Sequence, residues 1–180
     1  SVGELVGERL KSDGRWFVQR NMLTILREAK IGAGGIDLDK FLKHTDPRVR
    51  REAIQLQFSD PLTRDRSIIA ALKETDSQIV KVALQAARQG LPEAAVPVLA
   101  KRVIDPDFPP EYRAAALQLL GRSNSMLALE ALLRFAMSGT TLLGKPKLAA
   151  KSREMLVGLS ALARAWPNDR RVAPLLANAR

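Results

Sequence analysis

The chain contains no cysteine. That excludes a disulfide framework, a thiolate metal site and a cysteine nucleophile. It also suits a reducing compartment, so a cytoplasmic location is expected. There is a single histidine, His44, too little for a multi-histidine metal site. Long apolar runs are missing as well. The longest uncharged stretch runs from Phe135 to Gly144, well short of the roughly 18 residues that a membrane-spanning helix needs, so no membrane partner is expected. The opening "SVGELVGERL" has neither the basic start nor the apolar middle of a secretory signal. It also lacks an initiator methionine, and the chain is expected to be a piece of a longer protein.

Catalytic patterns are equally scarce. No serine or threonine has a base at motif spacing, and the acidic residues fall at turn positions rather than in facing pairs. "GKPK" at 144–147 lacks the spacing of a phosphate-binding loop, and proline follows its first lysine. No catalytic residue, cofactor or metal ligand is therefore nominated, and the chain is expected not to be an enzyme.

What is present is a core-forming composition, 46% hydrophobic over 180 residues, and a net charge of +10. The charge is uneven. Residues 1–60 hold 11 Lys/Arg against 9 Asp/Glu, residues 61–120 hold 8 against 7, and residues 121–180 hold 10 against 3. An electrostatic case for an anionic partner rests mainly on the last third.

The residues also repeat. "DPRVRREAIQLQF" at 46–58 aligns with "DSQIVKVALQAAR" at 76–88, a step of 30. Asp46 falls on Asp76, Val49 on Ile79, Ala53 on Ala83 and Leu56 on Ala86. One step back lie Arg20, Leu23 and Leu26; a step of 33 forward reaches Tyr112, Arg113, Ala116 and Leu119. Columns at i, i+4 and i+7 form one face of a helix. Before each such helix stands another amphipathic stretch: 2–11, 36–44, 61–74 and 91–104. Between the two comes an Asp-containing turn, a good N-cap, with proline tolerated at the next position. A fifth pair is expected at 123–138 and 148–165, joined by "GTTLLGKPK". The unit is helix, turn, capped helix, with strand signals nearly absent. One hairpin cannot bury its own apolar face, so stacking is expected to build an all-α superhelix, a solenoid of about five hairpins forming one domain over 1–180. The repeats are set at about 2–30, 36–59, 61–89, 91–122 and 123–165, and 167–180 is a partial repeat or tail.

"DPRVRREA" at 46–53 resembles the D-P-x-V-R-x-x-A signature of HEAT repeats, and "RWFVQRNMLTILREAKIG" at 15–32 is similar to a helix common in bacterial HEAT-repeat proteins. The resemblance covers 2–122 well and 123–180 loosely. It implies a ladder in which a second-helix arginine bonds the turn aspartate of a neighbouring repeat. Asp13, Asp46, Asp76 and Asp105 are the candidate acids, and Arg20, Arg50 and Arg113 the bases; Val80 stands where the third repeat would need arginine. Arg50 is thus given a structural role, and Arg48 and Arg51 are left freer. HEAT arrays serve as scaffolds, adaptors and enzymes alike, so the resemblance speaks for fold more than for function.

Solenoids bind along the exposed ridge of their second helices. Here that ridge is Asn21, Arg51 and Lys81 in one column and Ile25, Gln55, Gln85 and Gln118 in another. The glutamines offer donors and acceptors to an extended peptide. The leading expectation is a protein-interaction scaffold that binds a partner there. The alternative is a nucleic acid or other polyanion held by Lys145, Lys147, Lys151, Arg153, Arg164, Arg170 and Arg171. No aromatic residue is interleaved with these lysines, which argues against stacking on single strands. A HEAT-like DNA glycosylase or bilin lyase is a third reading; the glycosylase requires a Trp/Asp cleft, and Trp16 with Asp46 is the one pairing available. Terminal repeats without polar caps also allow end-to-end self-association.

Overall fold

A computed structural model describes residues 1–32, 36–141 and 144–179. It is mostly helical. Its internal contacts divide it into two compact units, Ser1–Ala86 and Ala87–Arg180. Among the described residues no helix is long and apolar enough to cross a membrane.

In the first unit, α1 (Val2–Ser12) packs on α2 (Trp16–Glu28), α2 packs on α4 (Pro47–Phe58), and α3 (Asp39–Leu42) and α5 (Pro61–Leu72) pack on α4. The core is Val6 and Leu10 of α1, Leu23 and Leu26 of α2, Phe41 of α3, and Val49, Ala53 and Leu56 of α4. Those last three are the i, i+4, i+7 column of the sequence. The stretch 36–44 is helical only over Asp39–Leu42. The Asp37 carboxylate accepts the Asp39 N–H at 3.0 Å, a local turn that competes with an earlier helix start. Four helical residues have no stability of their own. Phe41, 1% exposed, holds them down, and its burial is worth about 1.5–3 kcal/mol.

The end of α2 is set by a Schellman motif. The Ile31 N–H reaches the Leu26 carbonyl at 3.1 Å, the Lys30 N–H reaches the Arg27 carbonyl at 3.1 Å, and Lys30 takes the left-handed conformation at φ 55°. The helix α6 (Ser77–Ala87) closes this half of the chain and buries Ile79, Val80, Ala83 and Leu84.

In the second unit, a 3₁₀ turn (Glu93–Ala95) leads into α7 (Val96–Val103), followed by α8 (Pro110–Leu120), α9 (Met126–Ala136) and α10 (Arg153–Ala165). The break in the stretch 91–104 falls just before Pro97, which brings no N–H to the helical ladder. Here α7 packs on α8 and on α9, and α10 packs on both α8 and α9. Leu99, Leu117, Leu120, Leu129, Leu132 and Leu162 are at most 1% exposed.

Two small residues let α10 come close. A Cβ on Gly121 would stand 2.5 Å from Ala161 Cβ, and one on Gly158 would stand 3.3 Å from the Leu132 carbonyl.

The connection after α9 departs from the expected helix pair. The chain leaves the helix at Met137 and forms an antiparallel hairpin of β1 (Met137–Thr140) and β2 (Pro146–Leu148), with an irregular register between Met137 and Gly139. Residues 142 and 143 of "GTTLLGKPK" lie outside the described residues. The hairpin is anchored to its surroundings. The Ala149 N–H bonds the Ala136 carbonyl at 3.0 Å, and α11 (Val172–Ala177), the structure formed by the tail, packs on β2, with Asn178 Nδ2 donating to the Pro146 carbonyl at 3.0 Å.

Gly121 has φ −66°, which any residue adopts, so substitution there tests packing alone. Gly121→Ala is expected to cost about 1–3 kcal/mol in urea denaturation through overpacking against Ala161. Adding Ala161→Gly should recover part of the loss. Full stability in the single variant would show that α8 and α10 have more room than this.

Candidate functional site

The turns before the second helices were assigned to an aspartate–arginine ladder, and their chemistry turns out to be local. Asp46 caps α4: its Oδ1 accepts the Arg48 N–H at 2.9 Å. The same carboxylate takes the Arg48 guanidinium in a fork, Nε to Oδ1 at 3.0 Å and Nη2 to Oδ2 at 2.7 Å. Asp13 does the same with Arg15, at 3.0 and 2.6 Å, and also receives Arg9 at 2.9 Å. Asp169 repeats the fork with Arg171 at 3.2 and 3.4 Å. Asp76 caps α6 through the Gln78 and Ile79 N–H groups, and Asp105 accepts the Asp107 N–H.

Among the described residues Arg20, Arg50 and Arg113 each bond other groups instead of a rung of the expected ladder with Asp13, Asp46, Asp76 and Asp105. Arg50 Nη1 donates to the carbonyls of His44 and Thr45 at 2.9 and 3.1 Å. Arg113 Nη2 donates to those of Asp105, Pro106 and Phe108. Arg20 bonds the Asn21 side chain. The reason is one of competition. An aspartate two residues ahead of an arginine closes a small bidentate ring and orders only one long side chain, whereas a rung to another repeat must order a side chain over a longer reach. Arg50 keeps a structural role by tying its own turn. Arg48, expected to be freer, is held in a fork on Asp46.

Arg48 also stacks on Trp16, its guanidinium carbon 3.6 Å from the ring centroid, with Arg20 at 5.8 Å from the same ring. Phe17, 42% exposed, meets Trp16 edge-on at 5.9 Å and carries Arg15 at 5.2 Å. Trp16 and Asp46 are thus brought together, with Arg48 as the link between them and the carboxylate already filled. His44 is half-buried and accepts the Asp46 N–H on Nδ1 at 2.9 Å.

Asn21, Ile25, Lys81 and Gln85 are exposed, and Arg51 and Gln55 are half-buried. In the second unit Gln118 is exposed and lines a groove of about 320 Å³ between α8 and α10, with Arg122, Leu156, Val157, Ser160, Ala161 and Arg164. Arg122 Nη1 donates to the Arg88 carbonyl at 2.7 Å, and Arg164 Nη2 to the Gly121 carbonyl at 3.5 Å. No carboxylate lines this groove. Arg122, Leu156 and Ser160 are residues that the sequence reading missed. The i, i+4 spacing of Leu156 and Ser160 places those two on one face of α10, but no spacing in the sequence points to Arg122.

The basic stretch is divided. Lys145 and Lys147 stand exposed on the hairpin, and Lys151, Arg153, Arg164 and Arg170 are exposed as well. Arg171 is not available in the same way, because Asp169 holds it.

The first unit has a further cleft of about 680 Å³ lined by residues that include Leu26, Arg27, Lys30, Asp37, Gln57 and Asp60. Gln57 is fixed there by the Ser67 hydroxyl at 2.6 Å, and Arg27 by Glu52 at 3.2 Å. None of the expected site residues lines it.

Comparison with protein-family models, with curated proteins and with solved structures finds no match.

The forks make a pH signature. The Arg48 side-chain bond to Asp46, with the Arg48 N–H, brings that carboxyl down to about 2. Asp13 and Asp169 are held low by Arg15 and Arg171 in the same way. An unfolded aspartate titrates near 3.8, so the folded state gains from the Asp46 charge above about that pH and loses the gain as pH falls toward 2. Asp46→Ala is expected to cost about 1 kcal/mol at neutral pH, from the lost cap and fork. Its melting temperature should converge on the parent's between pH 3.8 and about 2. A gap that stays constant through that window would show that the fork is not charge-dependent.

Proposed function

We propose that this chain is an interaction module built as a HEAT-like α-solenoid, and that it binds an extended segment of a protein partner along the exposed face of its second helices. The observation that carries the reading is like-on-like packing within each unit. Second helix packs on second helix (α2 on α4, α8 on α10), and first helix on first helix (α7 on α9). Such packing buries one face of each second helix and leaves the other to solvent. The side chains of Gln55 and Gln85 in the first unit, and of Gln118 in the second, make no hydrogen bond within the described residues, so their amide groups are free to pair with a peptide backbone. In this reading the chain is a binder and not a catalyst.

A second reading is favoured by the cluster Lys145, Lys147, Lys151 and Arg153. All four are exposed, and no acidic partner is bound to them within the described residues. A polyanion, nucleic acid first, would be held there by charge alone, with affinity that falls steeply with salt.

The two readings separate in one pair of measurements. Peptides selected from a phage-displayed random library on the parent chain should bind in solution with little salt dependence and lose at least about tenfold in affinity with Gln55→Ala plus Gln85→Ala, the cost of roughly one to two hydrogen bonds. A labelled DNA duplex should show no binding that weakens by about 10³–10⁵ between about 50 and about 200 mM salt. No enriched peptide, together with that steep salt slope on DNA, would overturn the scaffold reading in favour of the polyanion.

A further inference from the structure

The groove between α8 and α10 has features that a general peptide-binding ridge does not require. It lies where α8 and α10 come close at Gly121 and Ala161. Arg122, just past the end of α8, and Arg164, in the last turn of α10, both line the groove. Each guanidinium is steadied by one backbone carbonyl, that of Arg88 for Arg122 and that of Gly121 for Arg164. A carbonyl carries no net charge, so both arginines keep theirs, and most of their N–H groups remain unused. Further along the groove the lining turns aliphatic: Val157, and Leu156 with 48% of its surface exposed. The surrounding unit holds 14 Lys/Arg against 7 Asp/Glu.

The geometry points to a groove for an acidic segment of a protein partner. The segment's carboxylate is clamped by Arg122 and Arg164, and a neighbouring aliphatic side chain lies on Leu156 and Val157. This rests on the interaction-module reading and names the partner's chemistry. Paired guanidiniums suit a carboxylate because each can offer two parallel N–H groups. A nucleic acid fits less well. The groove has no aromatic lining on which a base could stack, its aliphatic wall would be wasted on a phosphate backbone, and two arginines are few for binding that depends on neutralising many phosphates.

The test uses the full chain and a labelled peptide of alternating glutamate and leucine, with the glutamine–leucine peptide and a labelled single-stranded DNA as comparisons. The glutamate peptide is expected to bind at least about tenfold tighter than the glutamine peptide. Arg122→Gln and Arg164→Gln should each weaken it by about tenfold, as loss of a charge-assisted contact does. Leu156→Ala should weaken it as well without touching a charge, and circular dichroism checks that each variant is folded. Equal affinity for the two peptides would overturn the proposal. So would glutamate-peptide binding that survives both arginine substitutions, or arginine-dependent binding of the DNA alone. If the glutamine peptide binds and is lost with Gln55→Ala plus Gln85→Ala, the interaction-module reading stands while this inference falls. If neither peptide binds and no library peptide is enriched, both fall.

Discussion

The second helices depend on how their first N–H groups are satisfied. A helix leaves its initial amides without intrahelical partners, and a side chain in the turn ahead of it can accept some of them. In this chain a carboxylate placed just ahead of the helix accepts one of those amides at α4 and two at α6. Where arginine stands two residues further on, the same carboxylate holds its guanidinium too. Asp46 with Arg48 shows both functions in one side chain. The turn then has a fixed geometry, and the helix that follows has a fixed direction in which to bury its apolar column. Removing the carboxylate would release both the amides and the arginine, and with the arginine the stack on Trp16.

Two classes of arginine result, and they differ in what they leave for function. Arg15, Arg48 and Arg171 are forked on an aspartate, so their charge is matched where it stands. Arg50, Arg113, Arg122 and Arg164 are tied to backbone carbonyls. A carbonyl orders the side chain and leaves the charge intact. The net charge of +10 is for this reason a poor guide to where an anion would bind. Position matters more than number: a carbonyl-tied arginine beside an open groove is both ordered and unmatched, while an exposed lysine on a hairpin is unmatched but free to move.

The helices are legible in the residues because their apolar columns recur at i, i+4 and i+7, and burial follows that spacing: Val49, Ala53 and Leu56 are at most 2% exposed. The turn aspartates are legible as caps for the same local reason. What is not legible depends on competition between near and distant partners. A sequence shows that Asp46 and Arg50 share a turn region; it does not show that Arg48 reaches the carboxylate first. The hairpin at 137–148 has no periodic signal because its strands are short, irregular in register and mostly exposed. Its support comes from outside, from Ala136 and Asn178. The shortened α3 and the 3₁₀ entry to α7 arise from single residues, Asp37 and Pro97, that interrupt otherwise helical patterns.

The groove between α8 and α10 shows why candidate sites are harder to read than helices. Gln118 stands out as the member of a column, but the feature that gives it neighbours is the absence of a side chain at Gly121. With a Cβ there, α8 and α10 would have to separate, since 2.5 Å from Ala161 Cβ is closer than carbon atoms approach. Separation there would strain the bond by which the Gly121 carbonyl steadies Arg164. Packing and recognition are therefore linked at one position. The glycine that lets two helices meet lies beside the groove they line, and a substitution there would change the groove by moving the helices apart.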